Sequence, residues 1–337
     1  MKKVIAAENI SRKILVTGAA GKVGQAFIKR LLADLAFSKT TIRALCHSRK
    51  LTPSARLEVV TGNISDPHDV QRAVAGVTHV LHLATCKETP ADVMDVTVKG
   101  LFWLLEECRR SKMFKQFILV GGDAGMGHFF YPHPLPVIET QKHSAYPGCY
   151  ALSKVLEEVM LEQYYIPYDF NGCCLRAPWI MEKDDFKYTL TFGDDVFDGP
   201  RWCEFIPDKI ARRYAKTETV PVMLDPSSQP VKRNFVHVDD LVEAILLAVD
   251  HPKARQQLFN ICMDEPVDYR AAADYLKASR GLPSVDIRTQ FHSTWLDNAK
   301  AKFLLGWRSR HNLHRLIDAA WDYKRRADDP RKIWYPG

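Results

Sequence analysis

A glycine-spaced turn, Gly18-Ala19-Ala20-Gly21-Lys22-Val23-Gly24, limits the folds open to this chain more than any other stretch of it. It follows a short apolar run, Lys13-Ile14-Leu15-Val16-Thr17, which reads as a buried parallel strand. Beyond it, Phe27, Ile28, Leu31, Leu32 and Leu35 recur at helical spacing over residues 25–35. Strand, turn and helix in this order leave unsatisfied helix amides where no Cβ obstructs a close approach, which suits a dinucleotide pyrophosphate. Gly18, Gly21, Lys22, Val23 and Gly24 are therefore candidate cofactor contacts, although the spacing is G-x-x-G-x-x-G rather than G-x-G-x-x-G. A tight turn packed with small residues is the plainer alternative.

The same rhythm continues. Apolar runs at 41–45, 57–60, 79–83 and 116–120 alternate with helical spacing over 69–75 and 97–112. A helix over 150–164 then leads to a strand around Gly172-Cys173-Cys174-Leu175. This alternation predicts an α/β fold with a doubly wound, Rossmann-like parallel sheet. Regularity ends at Glu182: residues 182–232 read as an irregular cap containing Phe186, Tyr188, Phe192, Phe197, Trp202 and Phe205. A helix over 239–249, a strand over 257–261 and a mainly helical C-terminus follow. The expected division is a dinucleotide-binding domain, 12–181 plus 233–262, and a smaller, mixed C-terminal substrate-binding lobe, 182–232 plus 263–337.

With 337 residues, 46% hydrophobic and 26% charged, the chain has ordinary globular proportions. Its uncharged apolar stretch at 244–249 is far short of the roughly 18–20 residues that span a bilayer, so no membrane partner is expected. The run Val4-Ile5-Ala6-Ala7 stops at Glu8, below the roughly 7–15 residues of a secretory core. The eight cysteines form no C-x-x-C pair, and a cytoplasmic location is expected. The net charge of +7 is spread over short runs, which argues against nucleic acid. No His, Cys and acidic residues cluster at ligand spacing, so no metal is expected.

After the second strand comes Cys46-His47-Ser48-Arg49-Lys50, without the acid that commonly accepts from the adenosine ribose in NAD enzymes. His47 and Arg49 suit a 2′-phosphate, so the cofactor is read as NAD or NADP with a lean to NADP; solvated loop charge is the alternative. Tyr150 and Lys154 stand four apart on one face of a helix. A phenol with a pKa of about 10 is a poor acid–base group at neutral pH, and a nearby ammonium favours its ionised form. Lys154 can also hold the nicotinamide ribose.

These motifs together resemble an extended short-chain dehydrogenase/reductase of the NAD-dependent epimerase/dehydratase family, from Lys13 to about Tyr323. The resemblance also rests on His82-Leu83-Ala84, on Asn63-Ile64, and on the late motif Arg233-Asn234-Phe235-Val236-His237-Val238-Asp239-Asp240. Asp297, Lys300 and Leu305-Gly306-Trp307 match near the C-terminus. It implies cofactor contacts at Asn63, Ile64, Leu83, Ala84, Thr85, Ala177 and Pro178, with Tyr150 as acid–base group. It also implies a substrate contact at Arg233 and a homodimer through the helices around 97–112 and 150–164.

One departure matters. The family's fifth strand delivers a Ser or Thr that polarises the substrate oxygen, whereas here it ends Gly121-Gly122-Asp123-Ala124. Gly122 then leaves room for substrate, and Asp123, Ser144 or a water supplies the missing hydrogen bond. Thr97 stands where the family commonly has Asn. The expected activity is hydride transfer on a carbohydrate or sugar nucleotide, with Tyr150, Lys154 and Asp123 catalytic. A nicotinamide-dinucleotide-binding regulator without turnover is the alternative.

Overall fold

The computed structural model describes residues 11–193, 199–327 and 329; Val4-Ile5-Ala6-Ala7 and Phe197 lie outside the described residues. Strands apolar on both faces must be covered on both faces, and the chain does this by winding outward twice from one point. Seven strands form the central sheet: β1 (Arg12–Thr17), β2 (Thr40–Cys46), β3 (Leu57–Thr61), β4 (His79–His82), β5 (Gln116–Gly122), β6 (Gly172–Ala177) and β7 (Gln257–Asn260). Their order is β7-β6-β5-β4-β1-β2-β3, and every neighbouring pair is parallel. The strand order reverses between β1 and β4, so a crevice opens there at their C-terminal ends.

Helices α1 (Lys22–Ala33), α2 (Pro67–Val74), α3 (Gly100–Arg110), α4 (Cys149–Glu162) and α5 (Val238–Ala248) cover the sheet. On one face Ile14, Val16 and Ile42 pack with Phe27 and Leu31 of α1 and Leu241 and Ile245 of α5. On the other, Leu15, Val80 and Phe117 pack with Val70 of α2, Leu104 of α3 and Leu161 of α4. A third core gathers Phe186, Trp202, Val222, Phe235, Tyr269, Leu276 and Ile317 away from the sheet.

The doubly wound sheet stands where the alternation places it, but the cap is more regular than its composition suggests. Residues 182–232 contain a helix, Asp208–Lys216, and a strand, Val220–Leu224. The mainly helical C-terminus contains a strand, Ser284–Arg288, which pairs in parallel with Val220–Leu224. Pro221 and the charged Asp286 and Arg288 mask these strands locally; pairing over a long separation makes them. Helix α1 begins at Lys22, three residues before its apolar periodicity does. Ahead of α3, a turn at Pro90–Asp92 and a π-helical segment, Val93–Lys99, extend the helical path toward the crevice. Among the described residues no helix is long and apolar enough to cross a membrane.

Candidate active site

The glycine turn is built by contact. Gly18 has φ +65°, and a Cβ there would lie 2.8 Å from the Ala84 amide nitrogen. At Gly24 a Cβ would meet the carbonyl oxygens of Gly18 and Ala19 at 2.6 Å. Gly21 caps α1 without a side-chain hydrogen bond, leaving the helix amides available to a ligand. Beside the turn, Thr17 Oγ1 accepts from the amides of Leu83 (3.1 Å) and Ala84 (3.2 Å) and bonds His82 Nδ1 at 2.7 Å. Burial lowers the His82 pKa to about 3, so the ring is neutral and anchors the exit of β4. Lys22 Nζ donates to the Ile180 carbonyl (2.9 Å) and pairs with Asp185 of the cap.

From this turn a cleft of about 540 Å³ runs past His47 and Arg49 to Asn63 and Ile64. Asn63 Oδ1 is engaged by Ser65, and its amide donates to Asp69 at 2.7 Å, which holds this end of the cleft in shape. In the other direction the space continues along Lys22, Val23, Gly24, Leu83 and Thr85 to Tyr150, Lys154, Ala177 and Pro178. An elongated cleft with an open helix N-terminus midway fits a dinucleotide, and every cofactor contact expected from the sequence lines it.

Tyr150 and Lys154 rise from the first turns of α4. Lys154 Nζ donates to Thr85 Oγ1 (3.0 Å) and to Glu157 Oε2 (2.7 Å), lying 5.3 Å from the centre of the Tyr150 ring. Lys154 and Glu157 are both almost wholly buried, and burial raises the Glu157 carboxyl despite the ammonium beside it. A second cation, Lys87, has its Nζ 5.0 Å from the Tyr150 ring centre. Thr97 Oγ1, at the family's Asn position, accepts from the Cys86 amide at 2.9 Å and stands 3.4 Å from Thr85 Oγ1.

Where the cleft ends at Tyr150, a chamber of about 210 Å³ begins. Lys87, Glu88, Gly122, Asp123 and His128 form its polar side, and Phe129, Trp179 and Phe291 its aromatic side. His128 Nε2 lies 2.6 Å from Asp123 Oδ1, without the alignment of a hydrogen bond. Ser144 is not among the lining residues: its hydroxyl donates to the Met126 carbonyl at 3.0 Å and its amide to Gly125. Arg233 is also set back. Its guanidinium carbon lies 3.8 Å and 3.9 Å from the ring centres of Trp179 and Phe129, behind the aromatic wall. Nor does Arg233 pair with the adjacent carboxylates. Asp240 instead accepts from His311 and from Ser309, while His237 caps α5 by accepting from Asp239.

Sequence reasoning passed over Glu157 and His128. Glu157 follows Lys154 by one helical turn, a spacing that brings an acid beside an ammonium. His128 shares a turn with Asp123, only five positions on, and that was the available signal.

A glycine turn at the sheet's switch point and a Tyr–Lys pair over it define a dinucleotide-dependent dehydrogenase scaffold. The model of the NAD dependent epimerase/dehydratase family matches residues 14–262, and the chain belongs to that family. It is an enzyme of short-chain dehydrogenase/reductase type. A bifunctional dihydroflavonol 4-reductase/flavanone 4-reductase of Malus domestica is 22% identical over 304 residues, 83% of this chain and 79% of the relative. Among solved structures, a short-chain dehydrogenase/reductase superfamily protein of Agrobacterium tumefaciens with bound NAD is 25% identical with TM-score 0.75, covering 91% of this chain and 95% of that one. The UDP-glucuronic acid 4-epimerase of Bacillus cereus in complex with NAD shares the fold at 19% identity and TM-score 0.71, over 92% and 98%.

Proposed function

We propose that this chain is an NAD(P)-dependent oxidoreductase acting at a carbon that bears a hydroxyl or carbonyl oxygen on a carbohydrate-sized ring compound. The position of Tyr150 carries the reading: it lines both the inner end of the dinucleotide cleft and the adjoining chamber. A bound nicotinamide dinucleotide supplies the hydride donor or acceptor. Tyr150 gives its phenol proton to the substrate oxygen in one direction and takes it in the other. Lys154, fixed by Thr85 and Glu157, keeps a positive charge beside that phenol. Phe129, Trp179 and Phe291 offer flat faces for a ring and exclude water.

The covering of Arg233 by Phe129 and Trp179 favours a substrate that fits the chamber over one whose diphosphate must reach that arginine. Nucleotide-linked sugars become substrates only if this wall parts. His47 and Arg49 at the end of β2, with no acid in residues 45–49, favour NADP. Residues 12–181 with 233–262 hold the cofactor and, through Asp123, His128, Phe129 and Trp179, much of the chamber wall, while 182–232 with 263–337 complete it through Pro200 and Phe291; the chain works in the cytoplasm. A regulator without turnover has no use for a half-buried Tyr150 backed by the buried Lys154–Glu157 pair.

The test is thermal unfolding with NAD, NADP, free sugars, nucleotide sugars and aromatic ketones, followed by nicotinamide absorbance for each compound that stabilises. Stabilisation by NADP above NAD, and turnover of a ring compound without a nucleotide, are expected. No shift with either dinucleotide overturns the cofactor reading, and turnover of nucleotide sugars alone overturns the substrate reading.

A further inference from the structure

We infer that His128 donates the hydrogen bond to the substrate oxygen that the family's Ser or Thr at position 122 provides, with Asp123 holding its ring; this rests on the proposed hydride-transfer reading. A carbonyl oxygen that gains negative charge needs a second donor beside the Tyr150 phenol. Gly122 offers no side chain, and an ionised Asp123 only accepts hydrogen bonds. Of the donors that line the chamber with Tyr150, Lys87 has its Nζ over the phenol ring, 5.0 Å from its centre, and Tyr146 packs on the imidazole, whereas His128 stands against the carboxylate that follows Gly122 in the chain.

Three further observations agree. His128 is buried, 7% exposed, and its Nε2 is the nitrogen that faces Asp123 Oδ1, at 2.6 Å, so Nδ1 is the nitrogen left to serve a substrate oxygen. Its backbone has φ +47°, directly after Gly127 at φ +85°, so the turn is bent to present this side chain. Tyr146, with its ring centre 5.1 Å from the imidazole, limits the ring's movement on the other side. His128 is neither consumed nor deprotonated in this role; it stabilises charge while Tyr150 exchanges the proton.

The structure supplies its own rescue. Gly122 is extended, φ −134° and ψ 146°, and a Cβ there would meet Lys154 Cδ at 3.5 Å and Tyr150 Oη at 3.7 Å, ordinary contacts. A serine fits. The experiment measures kcat for the full chain and for His128→Ala, His128→Gln and Gly122→Ser/His128→Ala, using NADH and NADPH with isatin, acetophenone, glucose and glucuronic acid in both directions. Dinucleotide affinity is measured by calorimetry in parallel. His128→Ala is expected to lose about 10²–10³-fold in kcat, the scale for one oxyanion donor, with unchanged dinucleotide affinity. His128→Gln, which keeps a donor, should lose less, and Gly122→Ser should restore at least tenfold to the alanine variant. Unchanged kcat in His128→Ala overturns the inference. So does a loss that Gly122→Ser does not repair. If His128→Ala does not fold, the comparison moves to His128→Gln with and without Gly122→Ser, and no gain from the serine overturns it. A wild-type chain that turns over none of these compounds while binding dinucleotide instead sinks the hydride-transfer reading, and this inference with it.

Discussion

Replacing Gly24 by alanine adds one carbon where the backbone already fills the space. Its Cβ would stand 2.6 Å from the carbonyl oxygens of Gly18 and Ala19 and 2.7 Å from Ala19 Cα, against ordinary contacts of 3.4 Å and more. The obstructing atoms are backbone, so no rotamer relieves them, and the turn must back away from α1 by most of an ångström. Overpacking of this kind costs about 1–3 kcal/mol. Because the strain falls on the loop that receives the pyrophosphate, the same displacement weakens dinucleotide binding roughly 10–100-fold, about 1.4 kcal/mol per decade. Melting with rising NAD and NADP separates the two effects. The ligand-free midpoint should fall by a few degrees. The stabilisation at a fixed dinucleotide concentration should fall by a further 1.4 kcal/mol or so for each decade lost. Gly76→Ala is the control: its backbone has positive φ, +73°, and nothing lies within 4 Å of its Cβ, so it should lower the midpoint and leave binding alone. A Gly24→Ala chain that binds NAD and NADP within about twofold of the parent would refute the reasoning.

Tyr150→Phe should leave dinucleotide affinity within twofold and lower kcat by about 10²–10⁴; turnover at the parent rate would remove the assigned role of the phenol. Glu106 is held by Arg109 at 2.7 Å and accepts from Tyr164 at 2.9 Å, and its pKa falls to about 2, chiefly through the Arg109 bond. A carboxyl lowered on folding stabilises fully above its ordinary value of 4.5 and loses that contribution as pH falls toward 2. Glu106→Gln should therefore flatten the acid limb of the stability profile across that window in urea titrations, and an unchanged limb would contradict it. Sedimentation should show a species of twice the 38.4 kDa chain mass, because Phe102, Leu152 and Val159 leave apolar surface exposed on α3 and α4. Leu152→Glu should halve that mass, and a parent chain already sedimenting as one 38.4 kDa species would reject the pairing.

The sheet was legible because its evidence is local: Ile14 to Val16 and Phe117 to Leu119 are apolar runs that leave little choice but a doubly covered strand. The Tyr150–Lys154 pair and the glycine turn were legible for the same reason, since fixed spacing within one element sets their geometry. What depends on distant residues was not. Val220–Leu224 becomes a strand by pairing with Ser284–Arg288, and Arg233 is withdrawn from the chamber by Phe129 and Trp179. Ser144 is engaged by Met126, which a linear reading from the family's motif does not reveal.

The parallel pairing of Val220–Leu224 with Ser284–Arg288 has a consequence for dissection of the molecule. The family match stops at residue 262. A fragment cut there would strip Tyr269, Leu276, Ile287 and Ile317 from around Trp202 and Phe235, leaving those rings bare to water and the strand without its neighbour. The stretch by which the chain is recognised is shorter than the core its own aromatic side chains help to build.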